Sequence, residues 1–430
     1  MPIDLGLTRI ATLLARLGNP HRSANFIHVA GTNGKGSVCA YLSSLLSNTT
    51  QLKIGKFTSP HLIHRHDCVM LNNYPVDRSL FEEAELAVKR VDEQFSIGAT
   101  EFELLTATAF HIFHSQNVDL AVMEVGLGGR LDSTNVLEPA VVNSDGYCLH
   151  RGVIATAITK IGLDHENILG SNLSEIAFEK AGIIKDKIPN VVDGTNDVEV
   201  LEVVKKKAID CNSSNYIILP QSDEIETSVG TINRSLSPLH GNYQLQNLSI
   251  ALKVIDLVFP FLQKNYPIKT NFTLANLEEG VKRTQWPGRL QELRLKYSKD
   301  QPSLPVILDG AHNGQAAREL ATYLKTRFNG PITFVLAVTK GKDLEPLLSQ
   351  LVTAQDKVIV TKFGKVDGMP WIQCNDPVEL EKEVKKYTNK VHIVEELPDV
   401  FKDLSQSDNV VICGSLYLVG QCLSLHEDNL

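Results

Sequence analysis

"HVAGTNGKGS", residues 28–37, decides how this chain is read. It ends the short apolar run "NFIHVA" and opens "SVCAYLSSLLS", whose apolar residues recur at helical spacing. A glycine-rich turn between a strand and a helix lets backbone N–H groups approach an anion, and the helix N-terminus adds a favourable field. Lys35 would reach the β- and γ-phosphates of a nucleotide. The common phosphate-loop pattern, G-x-x-x-x-G-K-[ST], is not met. Gly31 stands three residues before Gly34, and Gly36 separates Lys35 from Ser37. Two readings are open on these residues alone: a phosphate loop of another lineage, or a glycine turn that holds a solvent lysine. The strand–turn–helix context favours the first.

The 430 residues suggest two large domains. Hydrophobic residues make up 43% and charged residues 21%, the balance of a folded globular chain. A formal net charge of −8 and a pI of about 5.9 argue against a nucleic-acid partner, which needs a basic face. A small anionic ligand needs only a few local cations. The seven cysteines contain no C-x-x-C pair and read as reduced thiols inside a cell. No apolar run is read as membrane-spanning, since "NVVICGSLYLVG" is too short. The N-terminus is poor in acids between Asp4 and Asp67, in the manner of a transit peptide. A core strand expected from Phe26 leaves no room for a cleavable leader, so residues 2–18 are expected to form an amphipathic helix with Leu5, Ile10, Leu13, Leu14 and Leu17 on its apolar side. A cytoplasmic location is expected, with the mitochondrion as the alternative.

Strand-like and helix-like segments alternate, which implies a parallel α/β architecture. "LAVMEVG" ends at Glu124, and "AITKIG" ends just before Asp164 and His165. Both are buried-strand candidates whose polar followers sit where open α/β sheets bind ligands. The organisation restarts near residue 290. "TQWPGRLQE" and the polar "KYSKDQPS" mark a boundary. After them come "LPVILDG", a helix from about Gln315, "PITFVLAV", "KVIVTKF" and "NVVICG", with helices between. The expected division is an N-terminal domain, 1–296, and a smaller Rossmann-like α/β domain, 297–430.

Further polar groups follow strands. "EVGLGGRLDSTN", residues 124–135, places a carboxylate before glycines, which suits Mg²⁺ beside phosphate; Glu124 as a plain turn cap fits equally well. In "DGAHN", residues 309–313, Asp309, His312 and Asn313 would face a cleft, and Asn313 also suits a helix cap. Taken alone, His165 reads as a structural histidine and Lys180 of "EKAGIIK" as an ordinary helix lysine.

In order along the chain, "GTNGKGS", "FTSPHL", "EVGLGGRLDSTN", "GLDHENILG", "EKAGIIK", "WPGRLQ" and "DGAHN" resemble the folate branch of the Mur ligase superfamily, the dihydrofolate synthase and folylpolyglutamate synthase family. The resemblance runs over essentially the whole chain and makes GTNGKGS that family's own phosphate loop. It implies a Mur-ligase-like α/β fold: a P-loop ATPase domain with a central sheet, followed by the smaller domain. It implies ATP held by Gly31, Thr32, Asn33, Gly34, Lys35, Gly36 and Ser37, with Asn247 and Arg289 from the central region and Asp309 and His312 from the second domain. Ser59, Glu124 and His165 match the family's magnesium ligands. Lys180 matches a lysine carbamylated in the family, which would complete a second Mg²⁺ site. Lys35, His165, Lys180 and His312 would act in catalysis.

For the acceptor, "TEFELLT" resembles the pterin-binding segment of the bacterial bifunctional enzymes. Phe102 would stack on the ring, with Thr100, Glu103, Asp132 and Ser133 as polar contacts; Phe102 as a core residue is the alternative. The implied chemistry is attack of a carboxylate on the γ-phosphate, then displacement of phosphate from the acyl phosphate by the amine of L-glutamate. No nucleophilic side chain is needed. "GTNGKGS", "EFELLT", "VDGMPW" and "CGSLYL" favour addition of the first glutamate, to dihydropteroate, over extension of reduced folates by a polyglutamate synthase or bifunctional enzyme. A non-catalytic nucleotide-binding relative and a peptidoglycan-type Mur ligase are disfavoured alternatives. A monomer with small-molecule partners and no membrane contact is expected. Residues 136–157 are longer than the family pattern, and their role is open.

Overall fold

The computed structural model describes residues 5–220, 223–402 and 404–430. Eight strands form the first sheet, in the order Asn215–Ile218, Asn190–Asp193, Val153–Ile158, Asn25–Ala30, Leu120–Glu124, Ile54–Phe57, Val69–Leu71, Tyr74–Pro75. The first six run parallel, and the last two turn back antiparallel. Successive side chains on a strand point to opposite faces. Ile27 and Val29 therefore join one core with Leu120 and Val122, while Phe26 joins another with Ala121 and Met123. Helices Lys35–Thr49, Asn242–Asn265 and Leu274–Lys282 fill the first core; Thr8–Arg16, Arg78–Phe95 and Glu101–Ser115 fill the second. Burial on both faces explains why these strands read as continuous apolar runs.

The second sheet has six strands, ordered Gln291–Leu295, Leu304–Leu308, Val410–Cys413, Thr333–Leu336, Lys357–Val360, Val391–Ile393. All pairings are parallel except the first. Gln291–Leu295 pairs with Leu304–Leu308, so the second sheet starts six residues before the expected limit at 297.

The N-terminal helix covers Thr8–Arg16, shorter than the expected 2–18. Residues 2–4 lie outside the described residues, Ile10, Leu13 and Leu14 are buried, and Leu5 and Leu17 are half-buried. Asn242–Asn265 corrects the reading that no segment reaches membrane-spanning length. By length and composition it does, with a mean hydropathy of 1.5, but 61% of that window is buried inside the fold. Scattered polar residues such as Lys253 and Asp256 broke up the run in the sequence. The open question of residues 136–157 is also answered. Val141–Val142 and Cys148–His150 form a surface hairpin before strand Val153–Ile158, at the end of that strand remote from Asp164. The hairpin does not enter the site.

Candidate active site

The phosphate loop leaves the central strand at Ala30 and enters helix Lys35–Thr49 with Gly34 at its N-cap. Gly31 and Gly34 have φ of 151° and 93°, values that L side chains rarely adopt. The loop is pinned from behind. The Thr32 and Asn33 amides donate to Lys160 O, the Thr159 hydroxyl donates to Asn33 O at 2.8 Å, and the Thr32 hydroxyl bonds Gly162 at 3.1 Å. The first N–H groups of a helix have no partner within it, so those after Gly34 face outward, free for an anion. Gly36 departs from the common pattern because Trp286 fills the space of a side chain: a Cβ there would overlap the indole. Asn247 lies against Gly34 and donates to Gln244, which donates to the Ser37 hydroxyl at 3.1 Å.

Two strand ends and a helix carry the next groups. Glu124, at the end of Leu120–Glu124, is buried, and its carboxyl accepts from Ser59 N at 3.3 Å. Its other oxygen lies 3.9 Å from Lys35 Nζ. Burial pushes its pKa up to about 6 against the pull of Lys35. Asp164 and His165 follow Val153–Ile158. His165 sits in the left-handed region, φ 55°, with its side chain partly exposed and Nε2 3.9 Å from Asp164. Lys180, from helix Leu173–Ala181, is buried and donates to Gly31 O at 2.8 Å. Burial, then the Lys35 charge, lowers its pKa to about 7.

The second domain closes the opposite wall. Asp309 is buried; it accepts from Leu290 N and Ala311 N, each at 2.8 Å, and so ties the linker to its own loop. The His312 ring nitrogen Nδ1 lies 2.9 Å from Gly310 O, which makes it the donor, and burial keeps the imidazole neutral. Nε2 is then an acceptor, 3.9 Å from Asp164. Asn313 caps helix Gly314–Arg327 by accepting from Ala316 N. Two polar contacts cross between the domains at the loop: Asn33 to Gln315 at 2.5 Å and Lys342 to Asp164 at 2.8 Å. Burial would raise the Asp164 carboxyl, but His165 and Lys342 outweigh it and hold the pKa near 2.

One cavity of about 590 Å³ gathers Gly31–Ser37, Ser59, Glu124, His165, Lys180, Asn247, Arg289, Asp309 and His312. The expected acceptor residues lie outside its wall. Thr100 and Glu103 cap each other at the start of Glu101–Ser115, and Glu103 also pairs with Arg9 at 2.9 Å. Asp132 spends its carboxylate on Leu127 N, Thr134 N and the Thr134 hydroxyl. The Ser133 hydroxyl bonds Thr106 at 2.6 Å. Thr100 and Glu103 thus fix the start of that helix, with Glu103 Oε1 buried and without a partner, and Asp132 and Ser133 fix the turn after Leu127. Phe102 is half-buried and packs against Gly126, a wall residue. The sequence reading missed Gln244, Trp286, Gln315 and Lys342. Only Trp286 carried a local signal, its place in "WPGR".

Residues 291–425 match the family model described as dihydrofolate synthetase, C-terminal domain. Dihydrofolate synthetase of Saccharomyces cerevisiae is 42% identical over 443 residues, covering 100% of both chains. The chain belongs to the dihydrofolate synthase and folylpolyglutamate synthase family. A second member of the family, probable dihydrofolate synthetase of Schizosaccharomyces pombe, is 39% identical over 98% of each chain. Folylpolyglutamate synthase of Mycobacterium tuberculosis, solved with ADP and AMPPCP, superposes with a TM-score of 0.81 at 28% identity, over 98% of this chain and 95% of that one. The Mur-ligase-like fold implied by the motifs is borne out.

Proposed function

We propose that this chain joins L-glutamate to 7,8-dihydropteroate, forming 7,8-dihydrofolate with conversion of ATP to ADP and phosphate. The observation that carries the reading is the single cavity in which the phosphate loop, Glu124 and the second domain's His312 meet, in a chain matched end to end by a dihydrofolate synthetase. The nucleotide phosphates would lie on the amides of Gly34–Ser37 with Lys35 beside them, and Asn247 and Arg289 would flank the nucleotide. Glu124, the Ser59 hydroxyl and His165 would hold Mg²⁺. Among the described residues no three His, Cys, Asp or Glu side chains gather tightly enough to make a metal centre alone. Mg²⁺ keeps several waters and shares phosphate oxygens, so a buried carboxylate with one accepted hydrogen bond fits it. Bound there, Mg²⁺ would neutralise charge on the phosphates.

The acceptor carboxylate attacks the γ-phosphate, and ADP leaves with the electrons of the broken bond. The glutamate amine then attacks the acyl carbon, and phosphate departs. Lys35 and Arg289 offset the negative charge built on oxygen in both steps. The acceptor Nε2 of neutral His312 faces the cavity and would receive the amine proton. Lys180, with a pKa near 7, has the neutral fraction that carbamylation needs, and intact-protein mass would reveal an added carboxylate. The acceptor ring would lie beside Gly126 and Phe102. The deciding assay mixes Mg·ATP and L-glutamate with 7,8-dihydropteroate in one tube and tetrahydrofolate monoglutamate in another, with products read by mass spectrometry. Product from dihydropteroate alone is expected. Product only from tetrahydrofolate, or from neither, overturns the proposal, and product from both makes the enzyme bifunctional.

A further inference from the structure

The linker between the two sheets touches the phosphate loop through one side chain. Trp286 lines the cavity and occupies the place a side chain at Gly36 would need. Lys56, from strand Ile54–Phe57, is buried, and its Nζ stands 5.3 Å from the Trp286 ring centroid. A cation over an indole face is attracted by the ring quadrupole, and more strongly where water is excluded. Three segments distant in sequence therefore meet at one ring. Just beyond it the linker is fastened to the second domain. Gly310 N donates to Gly288 O at 3.0 Å, and Leu290 N to Asp309 at 2.8 Å. Arg289 lies between these two anchors, its guanidinium against Gly310. A shift of Gly36 must move Trp286, and two to four residues later the chain is already bound to the loop carrying Asp309 and His312.

We propose that Trp286, held by Lys56, is a positioning residue that keeps the phosphate loop and the Arg289–Asp309 edge of the second domain in one register. Nucleotide phosphates seated at Gly36 are thereby coupled to the placement of Arg289 and His312. The inference rests on the nucleotide reading of the site given above. Gly36 is then a glycine for the sake of the indole, not only for the approach of phosphate.

The test is a coupling measurement on the full chain. Trp286 and Trp371 are the two tryptophans, so Trp371→Phe leaves Trp286 as the sole indole reporter. Mg·ATP is titrated by calorimetry and by indole emission, and turnover is measured in parallel. In the presence of Trp286, Gly36→Ala should weaken Mg·ATP binding by about tenfold or more, because the methyl and the ring cannot share the space. In a Trp286→Ala background the same change should cost less than about threefold, since the clash is gone. Lys56→Met should lower kcat and raise KM for ATP together, and Lys56→Arg, which keeps the cation, should restore both. Equal fold-losses for Gly36→Ala in the two backgrounds, or wild-type kinetics in Lys56→Met, overturn the coupling. Absence of binding heat in the wild type overturns the nucleotide reading itself, and the two failures are told apart in the same titration. Thermal melts identify variants that do not fold, and the Lys56 pair then decides.

Discussion

Replacing Lys180 by methionine should stabilise the protein and silence it. Lys180 is 5% exposed, and its pKa falls from 10.5 to about 7 on folding. At about 1.4 kcal/mol per pKa unit, the folded state bears a penalty of roughly 5 kcal/mol below pH 7, where both states carry the proton. Between pH 7 and 10.5 the unfolded chain binds more proton than the folded one, so the penalty shrinks as pH rises and vanishes above 10.5. Methionine has a similar shape and no charge. It leaves Gly31 O without its donor, which costs about 1–3 kcal/mol. The net gain is roughly 2–4 kcal/mol at pH 6.5 and about zero near pH 9. The assay is urea unfolding followed by circular dichroism at both pH values, without nucleotide and in CO₂-depleted buffer, so that the lysine stays unmodified. Product formation should be lost at either pH. A midpoint that falls at pH 6.5, or a gain that persists unchanged at pH 9, refutes the assignment of Lys180 as a strained, buried ammonium.

Glu124→Gln keeps the shape of the buried strand end and removes its charge; it should reduce kcat by about a hundredfold or more without lowering the melting temperature, measured by product formation and calorimetry. Asp132→Asn keeps one accepting oxygen but turns an amide NH₂ toward either the Leu127 or the Thr134 donor, and should cost about 2–3 kcal/mol of stability; an unchanged melt with a raised acceptor KM would support Asp132 as an acceptor ligand. Lys342→Met deprives Asp164 of its ammonium. The depressed carboxyl contributes stability above its unfolded pKa of 3.8 and loses it as pH falls through about 2, so the variant should be destabilised by about 1–2 kcal/mol at pH 7 and converge on the wild type toward pH 2 in urea titrations.

Elements whose cause is local were legible in the sequence. Each central strand is an apolar run cut off by glycine or a polar residue, and burial on both sheet faces requires that pattern. The phosphate loop and the Asn313 cap announce themselves within a few residues. Thr100 and Glu103 were legible as a capping box as well: T-x-x-E before an apolar run is its signature, and that is the structure they form. Asp132 before Ser-Thr-Asn is likewise a turn former. Pairings between distant segments left no mark. Lys342 meets Asp164 across 178 positions, and "TKGKD" looks like any solvated loop. The exclusion of a side chain at Gly36 depends on Trp286, which no spacing rule connects to residue 36. Gln291–Leu295 joins the second sheet although it precedes 297, because an edge strand of alternating polar and apolar residues reads as linker.

Helices Asn242–Asn265 and Leu274–Lys282 both pack on helix Lys35–Thr49. The core on that face of the first sheet is thus closed by residues made long after the strands they cover. Translation from residue 49 to residue 282 takes roughly 10–50 s at about 5–20 residues per second. Until then Val38, Leu42 and Leu45, and the inner faces of Ile27 and Val122 once they are made, lack two of their covering helices. A stop or frameshift between residues 218 and 242 leaves that face of the first sheet with helix Lys35–Thr49 but without the two helices that close over it.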